Sequence, residues 1–159
     1  MSWVSVRTAA SEAVIAAVIA AMPGGIARAA PPSAPGTCAI TSATGLAFGT
    51  YDPFSAAPVL VTGLVRHRCA RKVLPRITLD GGQGASFAPR WMRSTRDALA
   101  YNLYLDAACT EIWGDGSQGT REYDAVTGTA NVTIYGRIPP GQDVSAGAYS
   151  DVVTVTFEF

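Results

Sequence analysis

The stretch YNLYLDAACTEIWGDG, residues 101–116, sets Asp106, Glu111 and Asp115 close together beside Tyr101, Tyr104, Trp113 and Cys109. Carboxylates at such spacing are the raw material of a metal site or of an acid–base pair. A calcium loop of the EF-hand type needs oxygens at alternate positions, a glycine at the sixth and a closing glutamate. Asp115-Gly116-Ser117-Gln118-Gly119 does not fit that frame. A glycosidase pair needs two carboxylates about 5–10 Å apart in a cleft, which spacing along a chain neither shows nor excludes. The simpler reading has Asp106 end a strand, Glu111 face solvent beside Ile112, and Gly114-Asp115-Gly116 form a turn that tolerates positive φ. No metal and no other cofactor is expected.

His67 is the chain's one histidine, so any Ser-His-Asp or Cys-His arrangement must use it. It lies in Arg66-His67-Arg68-Cys69 with no acid close by in sequence. There is no G-x-S-x-G elbow and no phosphate-binding G-x-x-x-x-G-K-[ST] loop. A half-buried structural histidine is the better account. The cysteines are Cys38, Cys69 and Cys109, none in a C-x₂₋₄-C pair, which leaves zinc without a ligand set. Arg66, Arg68, Arg71, Lys72 and Arg76 cluster and could form a polyanion patch, but Arg66 and Arg68 share one strand face and read more simply as a solvated face or an edge guard. Asn131-Val132-Thr133 matches a glycosylation acceptor inside a strand run, where acceptors are less expected than on loops.

The elements that must hold these residues read as strands. Apolar and polar residues alternate in Leu60 to Cys69, in Val73 to Leu79, at Tyr101, Leu103 and Leu105 with Asn102 and Tyr104 on the opposite face, and at Val132, Ile134 and Gly136. The final run is the cleanest, with Val153, Val155, Phe157 and Phe159 on one face and Thr154, Thr156 and Glu158 on the other. Asp97 to Leu105 could be drawn as a helix, but its Tyr-Asn-Leu-Tyr-Leu centre favours strand. Asp52-Pro53, Gly81-Gly82, Gly114-Asp115-Gly116 and Pro139-Pro140-Gly141 punctuate the runs. Short strands with turn signals between them predict an all-β sandwich or barrel.

The chain opens with an early Arg7, an apolar run from Ala13 to Met22, a Pro23-Gly24-Gly25 break and Ala27-Arg28-Ala29 in the A-x-A pattern. This is the pattern of a secretory signal peptide over residues 1–29, cut after Ala29. A proline-rich leader follows over residues 30–37, and one domain over 38–159. Removal of the signal peptide takes away Arg7, Arg28 and Glu12, leaving 10 basic and 11 acidic residues. Such a balance gives no field to attract nucleic acid. No other run is apolar and long enough to predict a membrane span in the mature chain. A secreted chain meets an oxidising compartment, so at least one disulfide is expected, and with three cysteines one thiol is left over.

An ordered series of short motifs carries a family resemblance. It runs from Cys38 through Phe48-Gly49-Thr50-Tyr51-Asp52-Pro53, Gly63 with Cys69, Arg90-Trp91-Met92 and Tyr101-Asn102-Leu103-Tyr104. It continues with Trp113-Gly114-Asp115-Gly116, Gly119-Thr120 and Tyr135-Gly136-Arg137-Ile138-Pro139, and ends at Tyr149-Ser150-Asp151. Each piece alone is weak, but the ordered set resembles the spore coat protein U domain across nearly all of Cys38 to Phe159. The resemblance implies a subunit like those of archaic chaperone–usher pili, exported to the periplasm and cell surface of a Gram-negative bacterium. It also implies an immunoglobulin-like antiparallel β-sandwich lacking one strand, which a partner supplies. The implied partners are a periplasmic chaperone, an outer-membrane usher and neighbouring pilin subunits, and strand addition at a sheet edge is the mode.

On this reading the final strand, with Val153, Val155, Phe157 and Phe159, walls the open groove, and a Cys38–Cys69 disulfide ties the first strand to a second. Phe48, Gly49, Tyr51, Tyr101, Leu103, Trp113, Gly114, Tyr135 and Gly136 are signature and core positions. Pilins of this kind donate an alternating N-terminal strand placed before the first cysteine. Here that stretch holds Pro31, Pro32 and Pro35, which lack the ladder N–H. The chain is expected to accept a strand and not to give one, as a tip or terminal subunit would. The sequence therefore predicts a secreted, non-enzymatic structural or adhesive subunit. A free-standing secreted binding or adhesion module is the alternative, followed by a small carboxylate-dependent hydrolase.

Overall fold

The computed structural model describes residues 2–10, 38–69, 76–124 and 129–158. Among them the chain forms ten strands. These are β1 (Ser2–Ala10), β2 (Cys38–Ala43), β3 (Leu46–Gly49), β4 (Val59–Cys69) and β5 (Arg76–Leu79). β6 (Arg90–Arg93), β7 (Ala98–Tyr104), β8 (Tyr123–Asp124), β9 (Thr129–Ile138) and β10 (Tyr149–Glu158) complete the set. A single 3₁₀ turn, Gly82–Gly84, lies between β5 and β6. No helix among the described residues is long and apolar enough to cross a membrane.

The strands run in the order β2-β4-β9-β7-β6-β10-β1-β3, with β5 against β10 and β8 against β5. Pairing is antiparallel except between β1 and β10. The order folds back on itself. Phe48 of β3 meets Tyr101 of β7 edge-on at 5.8 Å, and His67 of β4 meets Phe157 of β10 at 5.7 Å. Strands far apart in the pairing order thus share one core, so the architecture is an all-β sandwich, as the alternation predicted.

Period-two patterning explains each long strand. In β10 every second residue from Tyr149 to Phe157 is buried while the others are half-buried or exposed. The second half of β9 does the same with Val132, Ile134, Gly136 and Ile138. Gly136 holds a core position because a Cβ there would stand 2.6 Å from Leu46 and 2.7 Å from Phe48. Close approach of the two layers requires the missing side chain. The span Asp97 to Leu105 is indeed strand, as β7, and Leu60 to Cys69 belongs to β4. Of the run Val73 to Leu79, residues 76–79 form β5, and the rest lie outside the described residues.

The leader falls partly into the sheet. Its apolar run, the cut expected at Ala29 and the proline-rich leader all lie outside the described residues. Ser2–Ala10, the front of the expected signal peptide, is strand β1 in the structure. The physical reason is in the segment itself: Val4, Val6 and Thr8 alternate with Trp3, Ser5 and Arg7, a β pattern in β-branched residues.

Candidate functional site

β10 has two edges with different neighbours. On one, β5 pairs antiparallel with Val155–Glu158, and β6 joins through Arg93 at Ser150. On the other, β1 runs parallel along the whole strand, with Val6, Thr8 and Ala10 level with Val153, Val155 and Phe157. β1 in turn meets β3 over only a few residues, Ser2 to Val4, with an irregularity between Ser2 and Trp3. The position beside the groove wall, expected to be empty, is therefore filled by the chain's own N-terminal segment. Without it, no strand of the described residues would stand between β10 and β3. Val153 and Val155 are fully buried and Phe157 nearly so, while Phe159 lies outside the described residues. An extended segment placed here gains ladder hydrogen bonds and covers an apolar stripe at the same time.

Behind that stripe lies a buried polar cluster that sequence reasoning missed. Arg90 is wholly buried. Its Nε and Nη2 donate to the Asp80 carbonyl at 3.0 and 2.8 Å, Nη2 also to the Trp113 carbonyl at 2.7 Å, and Nη1 to Asn102 Oδ1 at 2.7 Å. Burial lowers the guanidinium pKa, and the neighbouring Tyr101, Asp80, Asp151 and Asp115 work against that shift. Asn102, expected opposite the core face, is buried as well and donates to the Phe87 carbonyl at 2.7 Å. Asp151 on β10 accepts from Tyr101 Oη at 2.7 Å and from the Gln83 amide at 2.8 Å. Burial lifts the Asp151 carboxyl above its ordinary value, although the Tyr101, Gln83 and Val152 hydrogen bonds oppose this. Burial, then Asp151, pushes the Tyr101 phenol up. The motif Arg90-Trp91-Met92 marked the position but not the role, since nothing in its spacing shows that three carbonyl-type acceptors converge on it.

The acids of residues 101–116 hold turns. Asp106 accepts from the Glu111 and Thr110 amides at 2.8 and 3.0 Å and from Thr110 Oγ1 at 2.8 Å. The Glu111 amide, with help from Thr110, keeps that carboxyl below its ordinary value. Asp115 accepts from the Ser117 hydroxyl and amide, which lower its pKa likewise. Carboxyls held ionised by turn donors are poor proton donors at neutral pH. Glu111 is exposed and pairs with Arg121 at 3.3 Å. Among the described residues no cluster of three histidine, cysteine or acidic side chains is placed to hold a metal.

The other signature residues divide by burial. Phe48, Tyr101, Leu103, Trp113, Gly114 and Gly136 are buried, and Tyr51 and Tyr135 are half-buried. Trp113 donates from its indole to the Ile77 carbonyl at 3.0 Å, and a Cβ at Gly114 would meet Thr120 Oγ1 at 2.4 Å. Gly49 turns with φ of +74°. Cys38 on β2 lies directly opposite Cys69 on β4, and Cys109 is a free thiol. Arg66 donates to Asn131 Oδ1 at 2.8 Å, so both sit on one exposed sheet face. Arg76 pairs with Glu122 at 3.2 Å, while Arg71 and Lys72 lie outside the described residues.

His67, expected to be half-buried, is fully buried, because β2 and β9 flank it and Phe157 covers it. Its Nε2 has no hydrogen-bond partner among the described residues, and desolvation lowers its pKa from the ordinary 6.5. Above that value both folded and unfolded chains hold a neutral ring, and nothing is lost. As pH falls below it the unfolded chain takes up the proton first, so stability declines until the lower folded pKa is reached. Asp151, with a raised folded pKa, contributes in the opposite direction as pH falls. Urea midpoints at pH 7.5 and 5.0 for the wild type and His67→Phe isolate the histidine. The wild type should lose more than the variant on acidification, and equal losses would refute the assignment.

The spore coat protein U domain family model matches residues 27–156. The chain belongs to that family. Protein U of Myxococcus xanthus is 33% identical over 140 residues, covering 78% of each chain. Among solved structures, one similar chain belongs to the CsuC–CsuE chaperone–tip adhesion subunit pre-assembly complex from archaic chaperone–usher Csu pili of Acinetobacter baumannii. Its TM-score is 0.50 at 21% identity, and the match covers 77% of this chain and 40% of that one. The likeness fixes a shared fold. The spore coat protein U domain of this chain is thus an all-β sandwich that shares its fold with that chain.

Proposed function

We propose that the chain is a secreted, non-enzymatic structural or adhesive subunit of a chaperone–usher surface fibre, completed by a strand that a partner supplies beside β10. The observation that carries this reading is the place of β1. A segment separated from the rest of the domain by residues 11–37 occupies the gap between β10 and β3, and its register sets alternate residues level with a buried apolar stripe. A leader cut after Ala29 would take Ser2–Ala10 away and leave the gap to a periplasmic chaperone, then to a neighbouring pilin at the usher. Expression with and without a candidate chaperone tests it. Soluble periplasmic protein should accumulate only with the chaperone. Equal yields without it would favour a free-standing secreted binding or adhesion module.

The same reading includes a Cys38–Cys69 disulfide. Support comes from the direct opposition of the two residues across β2 and β4 and from the free thiol of Cys109. Closing a loop of ~30 residues stabilises by about 3–4 kcal/mol in the chain-entropy description. Non-reducing peptide mapping should return a Cys38–Cys69 peptide with Cys109 alkylated. A main product that contains bonded Cys109 would refute the pairing.

A further inference from the structure

The edge of β10 that faces away from β1 has a gap in its strand pairing. β5 covers Val155–Glu158 and β6 reaches Ser150, so among the described residues no strand runs beside residues 151–154 on that side. Two carboxylates stand where the strand is missing. Asp80 Oδ1 accepts from the Thr154 amide at 2.9 Å, while the Asp80 amide donates to the Thr154 carbonyl at 3.1 Å. Asp151 Oδ1 accepts from the Val152 amide at 2.7 Å and from the Gln83 amide at 2.8 Å. Val152 and Thr154 are two residues apart in an extended strand, so their N–H groups point to the same edge, and those of Val153 and Val155 point to the other. Asp80 is itself anchored: Arg90 donates twice to its carbonyl, and its Oδ1 also accepts from the Gly82 amide at 3.0 Å.

We propose that Asp80 and Asp151, with Asp80 fixed by Arg90, make strand addition one-sided: they close this edge of β10 and leave the β1 edge as the one that accepts a partner strand. The inference rests on the strand-accepting role proposed above and names the residues that set its specificity. Unpaired N–H groups on a strand edge are templates for pairing with another chain, and side-chain carboxylates that take those groups remove the template. Asp80 and Asp151 are positioning residues in this sense. They govern which edge is available and touch no partner themselves.

The test uses the full chain, with amide exchange at Thr154, Val153 and Val155 read alongside sedimentation over a concentration series. Asp80→Ala should speed exchange at Thr154 about tenfold, leave Val153 and Val155 unchanged, and convert the chain to concentration-dependent oligomers. Asp80→Asn keeps an oxygen acceptor and should restore both readouts. Asp80→Glu, which moves the carboxylate out of register by one methylene, replaces Asp80→Ala if that variant does not fold, with the same expectation. Uniformly faster exchange at all three amides, or a monomeric variant with an open Thr154 amide, would overturn the proposal alone. Val153 and Val155 amides that stay protected once residues 1–29 are removed would instead overturn the strand-accepting reading beneath it, because that edge would then be covered with no strand supplied.

Discussion

Arg90→Met should lower the melting temperature of the domain by about 10–20 °C. Methionine keeps most of the stem volume, so the change isolates the guanidinium. Four hydrogen bonds vanish, two to the Asp80 carbonyl and one each to the Trp113 carbonyl and Asn102 Oδ1. Their acceptors belong to three different segments, and a buried acceptor left without a donor costs about 1–3 kcal/mol. Water re-solvates part of the Asp80 loop, which brings the total to about 3–5 kcal/mol. A domain of this size is stable by about 5–15 kcal/mol, so the loss is a large share. Arg90→Lys should recover less than half of it, because one ammonium cannot span acceptors that the planar fork reaches together. Thermal melts followed by circular dichroism decide the matter. A shift within about 3 °C would show that the network contributes specificity rather than stability.

The contrast between β10 and the Arg90 cluster shows what the sequence could and could not disclose. Val153, Val155 and Phe157 were legible because a strict period of two has one physical reading when a face is buried. The turn acids Asp106 and Asp115 were legible for a similar reason, since their chemistry is local and closes within five residues. Asn102 was misplaced by the same period-two rule. It shares the polar parity of β7 with Tyr104, yet Arg90 and the Phe87 carbonyl cover that face, and alternation along one strand carries no record of what lies over it. The sequence places Asp151 in a motif but does not mark it as a buried acid, because its partners Gln83 and Tyr101 are 68 and 50 residues away. Ser2–Ala10 supported two readings at once. An early arginine before an apolar run is a leader pattern, while Val4, Val6 and Thr8 at alternate positions are a strand pattern. Only the gap between β10 and β3 gives the second one a place to pair.

That gap sets the second large effect. Val155→Asp or Phe157→Asp should abolish periplasmic accumulation even when the chaperone is present. Val155 is fully buried, paired with Leu79 on one side and level with Thr8 on the other. Phe157 is buried against the edge of His67. Loss of a large apolar side chain at such a site costs about 2–5 kcal/mol, and an unpaired carboxylate in its place adds several more. Together these approach the whole stability of the domain. Thr156→Asp lies on the opposite, half-buried face of the same strand and should cost about 1 kcal/mol, within the range of strand propensity. Folding and groove occupancy are then separated on the processed chain, residues 30–159. A peptide of alternating apolar residues from the N-terminus of a neighbouring pilin should raise its melting temperature strongly, since a ligand at a hundredfold its Kd stabilises by about 2.7 kcal/mol. A peptide spanning Pro31 to Thr37 should leave it unchanged, because its three prolines cannot complete the ladder. A processed chain that melts as a stable monomer and responds to neither peptide would mean that the sheet closes without a partner, and the subunit reading would give way to a self-sufficient secreted module.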